Sequence, residues 1–148
     1  MDTIVVALGS NAVLRRGEAP ELDVQRRRLA EVGGVLAPLA RDQHLVVTHG
    51  NGPQVGLLAL QSDAGIGDVR PYALDALGAE TEGLIGYLLQ QSLRNAAPGL
   101  EVVTLLSQVV VRKDDPAFDR PTKPIGRVYP DEAAAIAAGG GRWALRPD

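Results

Sequence analysis

Apolar residues come first in short continuous runs and then in helical stripes. Ile4-Val5-Val6-Ala7-Leu8 is wholly apolar and stops at Gly9, a pattern that suits a strand buried on both faces, as in a parallel sheet. After a polar loop, residues 23–40 place Val24, Leu29, Val32, Leu36 and Leu39 near one face of a predicted helix, with Arg26, Arg27 and Arg28 largely on the other. Gly33-Gly34 weakens that helix by roughly 1 kcal/mol per glycine. Residues 44–48 predict a second strand, closed by His49-Gly50-Asn51-Gly52. Pro53 suits the first position of a helix over residues 53–62, because its missing N–H would be unpaired there anyway.

Residues 64–67 read as a loop. The spacing of Leu74, Leu77, Thr81, Leu84, Ile85 and Leu88 predicts a long amphipathic helix over residues 71–95, ended by Pro98-Gly99. Residues 100–111 form a third β-prone run. Residues 113–130 turn polar and carry Pro116, Pro121, Pro124 and Pro130, the marks of a flap outside the sheet. Residues 133–138 predict one or two helical turns before Gly139-Gly140-Gly141. Strand, helix, strand, two helices, strand is the order of an α/β protein, here a three-layer αβα sandwich on a mainly parallel sheet with a protruding flap. Residues 1–112 then form an α/β domain and residues 113–148 an incomplete flap subdomain. Three parallel strands make a thin sheet with exposed edges, like half of a larger domain.

Composition narrows the choices. The 148 residues carry 15 basic and 18 acidic side chains, a net charge of −3, and 45% are hydrophobic. One globular domain is expected, without a broad nucleic-acid or anionic-membrane surface. The absence of cysteine excludes disulfides, thiolate zinc sites and cysteine nucleophiles. The first apolar run is too short for a signal peptide, and no run approaches the ~18 residues of a membrane helix, so a cytoplasmic chain is expected. With one Trp, three Tyr and one Phe, the core must be aliphatic. Lysine occurs only at Lys113 and Lys123, so each lysine is worth asking about.

Three segments carry candidate chemistry. Gly9-Ser10-Asn11 follows the first strand directly, where glycine lets backbone N–H groups turn toward an anion and Ser10 and Asn11 add donors. Read alone, it is more simply an ordinary strand-to-loop turn. His49-Gly50-Asn51-Gly52-Pro53-Gln54-Val55-Gly56 ends the second strand and opens a helix, whose N-terminus attracts phosphate or carboxylate. It is neither a dinucleotide fingerprint nor a P-loop. Both loops fall at the C-terminal ends of strands, where open α/β sheets bind ligands. In Pro121-Thr122-Lys123-Pro124-Ile125-Gly126, flanking prolines stiffen the backbone around one lysine, which could neutralise a transferring phosphoryl group or simply be solvated. Asp114, Asp115 and Asp119 read more simply as a solvated acidic loop than as metal ligands. Arg26–Arg28 reads as a solvated helix face, and His44 as a strand-edge residue. Ser10 lacks a hydrolase setting, because Gly-x-Ser-x-Gly is absent.

Together these strings resemble the carbamate kinases of the amino-acid kinase family. The matching segments are residues 5–12 and 46–58, Leu77-Gly78-Ala79-Glu80-Thr81-Glu82-Gly83, Asp115-Pro116-Ala117-Phe118 and Pro121-Thr122-Lys123-Pro124-Ile125-Gly126, in the family's order. The resemblance implies the N-terminal part of the amino-acid kinase fold and phosphoryl transfer between ATP and carbamate, giving ADP and carbamoyl phosphate. It implies that Gly9, Ser10 and Asn11 lie against the phosphoryl group, that Gly50, Asn51 and Gly52 hold carbamate, and that Lys123 reaches in from the flap as a catalytic residue. It also implies ATP or ADP with Mg²⁺, no protein metal ligand in this chain, small-molecule substrates and a homodimer.

Two departures are visible. Ser10 stands where the family has a second glycine, and a side chain there would strain a positive-φ backbone. Family members are also about twice as long, and their nucleotide-binding domain, with further lysine and aspartate residues, is expected to be absent here. Two readings follow: a carbamate kinase, or a non-catalytic anion-binding or oligomerising domain derived from one.

Overall fold

A computed structural model describes residues 2–15, 17–65, 69–123 and 129–139. Along the described residues the chain runs β1 (Thr3–Leu8), α1 (Ser10–Val13), α2 (Leu22–Asp42), β2 (His44–His49), α3 (Gly52–Ala64), α4 (Leu74–Ala96), a 3₁₀ turn (Pro116–Phe118) and α5 (Glu132–Gly139). The predicted strands and helices of the first 96 residues are present, with their ends moved by up to three residues. The short alanine-rich helix is there as well, its first turn closed by Asp131 Oδ1, which accepts from Ala134 N at 2.7 Å.

β1 and β2 pair in parallel, from Thr3 opposite His44 to Leu8 opposite His49. Side chains alternate across the pair. Ile4, Val6, Leu8, Leu45, Val47 and His49 are half-buried, whereas Val5 and Val46 stay 65% and 46% exposed. The runs read as buried on both faces are thus covered on one, because the helices packed on this sheet shield the face carrying Leu8 and Val47. Val13, Leu29, Ile85, Leu88 and Leu89 form the core there, with Leu8, Val32 and Val47 packed against it. As the sparse aromatics required, this core is aliphatic.

α2 and α4 cross closely at Gly33. A Cβ on Gly33 would overlap Ser92 Oγ and lie 3.0 Å from the Ser92 carbonyl carbon and oxygen. Ser92 Oγ donates to the Leu29 carbonyl, so one hydroxyl fills the gap left by the missing methyl and joins the helices. The glycine that weakens α2 as an isolated helix is what lets α4 approach it.

Residues 100–112 depart from expectation: they form no strand. Residues 102–107 run along α4 in the opposite direction. Gln90 Nε2 donates to the Val102 carbonyl at 2.9 Å, Ser107 N donates to Glu82 Oε2 at 3.1 Å, and Thr104 fills the space above Gly86. β propensity describes fit to a pleated, half-buried surface with a ladder partner. A helix flank supplies side-chain acceptors and donors but no ladder, so Val103 and Val110 remain 80% and 93% exposed. Among the described residues, no helix is long and apolar enough to cross a membrane.

Candidate functional site

The register of β1 and β2 decides which segments meet. Leu8 and His49 are the last paired residues, so Gly9 and Gly50 leave adjacent strands at the same, C-terminal end. Neighbouring strands lie about 4.8 Å apart, which brings the two predicted loops side by side. Val13, 1% exposed, anchors α1 in the core and fixes where Ser10 and Asn11 emerge, both exposed. Gly9 precedes the helix with extended backbone, φ −67° and ψ 160°. Ser10 is helical, and no described non-glycine residue has positive φ. Serine at this position therefore carries no backbone strain.

Asn51 is the residue before α3, and its carbonyl accepts the first helical bond, from Val55 N at 2.9 Å. Its side chain makes no capping bond. The Nδ2 group instead donates to the Gly78 carbonyl at 3.1 Å and to Thr81 Oγ1 at 2.9 Å, both on α4. Pro53 has no N–H, so the start of α3 offers those of Gly52 and Gln54, in the positive field of a 13-residue helix. A Cβ on Gly9, Gly50 or Gly52 would meet nothing within 4 Å, and none of the three has positive φ. Neither backbone conformation nor packing requires glycine at these positions.

A buried polar chain sets the angle of α3. Gln54 Nε2 donates to Gln25 Oε1 at 3.1 Å, and Gln25 Nε2 donates to the Pro20 carbonyl at 3.2 Å. The loop between α1 and α2 is held by Arg28, which ion-pairs with Glu18 and also reaches Glu31 at 3.1 Å. Glu18 accepts from Arg15 N at 2.9 Å as well. The Arg28 hydrogen bond, helped by that backbone N–H, draws the Glu18 carboxyl down to about 2. Arg28, read as part of a solvated face, is thus a half-buried clamp, while Arg26 and Arg27 are exposed.

The ties made by Gln25, Arg28 and Thr81 carry no local signal in the sequence, because their partners lie 10 to 30 residues away. Thr81 lies in the family-like segment from Leu77 to Gly83, yet only the fold shows that it meets Asn51. Lys123 is exposed and is not brought to the two loops by any described hydrogen bond. Its neighbours Pro124, Ile125 and Gly126 fall outside the described residues. Asp114 pairs with Arg112 at 2.6 Å, and Asp115 caps the 3₁₀ turn by accepting from Ala117 N at 2.8 Å. Among the described residues no three acidic or histidine side chains converge as a metal site.

No protein-family model matches the chain. It is 51% identical over 146 residues to the carbamate kinase of Haemophilus influenzae, covering 98% of this chain and 47% of that protein. Among solved structures, carbamate kinase from Giardia lamblia bound to citric acid superposes with a TM-score of 0.84 at 36% identity, over 94% of this chain and 47% of that one. The same enzyme bound to AMP-PNP gives a TM-score of 0.73 at 35% identity, over 99% and 48%. The chain spans about half the length of the curated relatives it matches. By sequence along its whole length and by fold, it is a relative of the carbamate kinases, corresponding to about half of such a protein.

Proposed function

We propose that the chain supplies the carbamate- and phosphoryl-binding half of a carbamate kinase. In the reaction, a carboxylate oxygen of carbamate attacks the γ-phosphorus of ATP, and the bond from that phosphorus to the bridging oxygen breaks as ADP leaves. The reverse reaction makes ATP from carbamoyl phosphate. The observation that carries this reading is the parallel register, Leu8 opposite His49, which sets both glycine loops at one end of the sheet. Glycines that the fold does not itself require fit close approach by a ligand.

Gly9, Ser10 and Asn11 are assigned to the phosphoryl group and Gly50, Asn51 and Gly52 to carbamate. Lys123 is assigned to charge neutralisation from the flap. Residues 1–112 are the binding domain and residues 113–148 the flap, with the nucleotide held by the part of the relatives that this chain does not match. No three acidic or histidine side chains among the described residues converge to hold Mg²⁺. What this chain contributes is positioning and fixed N–H dipoles, the main resources of phosphoryl transfer. Cytoplasmic location and a homodimer complete the reading. Leu74, Leu84 and Tyr87, exposed on α4, support a second copy against that helix.

The test is thermal denaturation with millimolar carbamoyl phosphate, together with ATP formation from ADP and carbamoyl phosphate. A raised melting temperature is expected. In a protein that also carries the nucleotide-binding part, Lys123→Ala should lower ATP formation at least about tenfold, and in this chain it should leave the melting temperature unmoved. No thermal shift at millimolar ligand would remove the carbamate site, and unchanged turnover in Lys123→Ala would remove the lysine.

A further inference from the structure

The Asn51 carboxamide has one orientation, and its partners fix it. A backbone carbonyl can only accept, so the group facing the Gly78 oxygen at 3.1 Å must be the NH₂ end. Thr81 agrees. Its hydroxyl lies 3.0 Å from the Leu77 carbonyl and 2.9 Å from that of Gly78, and donates its proton there, leaving a lone pair for Asn51 Nδ2 at 2.9 Å. Thr81 is 2% exposed, so water does not compete for these bonds. Both amide protons of Asn51 are committed to α4, and the atom left for a ligand is Oδ1, an acceptor. Among the described residues nothing donates to Oδ1 and no buried side-chain polar atom lacks a partner, so this oxygen, on a half-buried residue immediately before α3, is accessible.

We infer that Asn51 reads an amino group on the ligand and that Thr81 is the positioning residue that makes it do so. This rests on the proposed carbamate site and adds a division of labour within it. Phosphate and carboxylate oxygens are acceptors. They match the N–H groups of Gly52 and Gln54 and are repelled by the Oδ1 lone pairs. An N–H donor on the carbonyl carbon is the group that complements Oδ1. The ligand class selected is therefore a carboxylate or acyl phosphate bearing NH₂ on its carbonyl carbon. An analogue with methyl in place of NH₂ keeps its charge and shape but leaves Oδ1 unmatched.

Acetyl phosphate differs from carbamoyl phosphate by that one group. Titrations of the chain with each are expected to show carbamoyl phosphate binding about fivefold to tenfold more tightly, the yield of one hydrogen bond. Thr81→Val removes the acceptor that locks the amide. It should lower the ratio, mainly by weakening carbamoyl phosphate, because the Gly78 carbonyl alone then orients the amide, whereas Thr81→Ser should keep it. In the free wild-type chain, the Asn51 side-chain amide protons should exchange with solvent more slowly than those of exposed asparagines and glutamines. That measurement holds even where Thr81→Val fails to fold. Equal affinity for the two ligands in the wild-type chain would overturn the inference while leaving the carbamate reading in place. A ratio that survives Thr81→Val, or rapid exchange of the Asn51 amide, would overturn the role of Thr81. Binding of neither ligand would remove the carbamate site itself, and the inference with it.

Discussion

The seam between α2 and α4 and the loop end of the sheet use glycine for opposite reasons. At the seam, Gly33 is filled: Ser92, itself buried, occupies the volume a methyl would need and donates to the Leu29 carbonyl. At the loop end, Gly9, Gly50 and Gly52 stand in open space. The seam is held mainly by volume, with one buried hydroxyl bond from Ser92 to Leu29, and the loop end by directed polar ties, Asn51 to Thr81, Gln54 to Gln25 and Arg28 to Glu18. A residue type therefore says little about its purpose until its neighbours are known. Each region also has its own vulnerability, added bulk at the seam and lost hydrogen bonds or altered pH at the loops.

The largest effect is expected at the seam. Gly33→Ala should destabilise the chain by about 1–3 kcal/mol, the usual range for overpacking, read as a lowered denaturation midpoint. Ser92→Ala in the same chain should recover part of that loss, because the hydroxyl clash disappears while the backbone approach at 3.0 Å remains. A fully stable Gly33→Ala would break the distinction between the two regions.

Acid separates them next. Glu18 titrates near 2 in the folded chain, below its ordinary value of 4.5. Its contribution to stability is therefore complete above about pH 4.5 and is lost as the pH falls toward 2. Glu18→Gln should melt at a lower temperature than the wild type at neutral pH, with the gap closing through that window. A constant gap would show that the clamp does not depend on the Glu18 charge.

The smallest effect is expected where glycine meets nothing. Gly50→Ala should change stability by less than about 0.5 kcal/mol, while weakening the thermal shift produced by carbamoyl phosphate. Large destabilisation would mean that the loop glycine serves the fold after all.

How much of this was legible in the sequence depended on distance. The strands, α2, α3 and α4 could be read because their signals are local: an apolar run ended by glycine, a stripe of leucines, a proline opening a helix. The two glycine loops could be read from their places after the strands. Residues 100–112 could not, since Val103, Val109 and Val110 have the propensity of a strand while the ladder that would make one depends on a neighbouring strand. Gly33 was misleading for a similar reason. Helix propensity counts the missing methyl as a loss, and only the approach of Ser92 turns it into a requirement. Arg28 has the same neighbours in sequence as Arg26 and Arg27, and only Glu18, ten residues back, sets it apart.

The tie between Asn51 and Thr81 also has a consequence in time. β1, α2 and β2 are complete once residue 49 has been added, yet the loop that follows takes its shape from a threonine 30 residues further on. At synthesis rates of roughly 5–20 residues per second, those residues take about 1.5–6 s. During that interval a nascent chain carries the glycine loop without the partner that orients its amide. The glycine loop thus gains this tie only once α4 has begun to emerge, and a chain cut between α3 and α4 would regain it only by re-association of the two pieces.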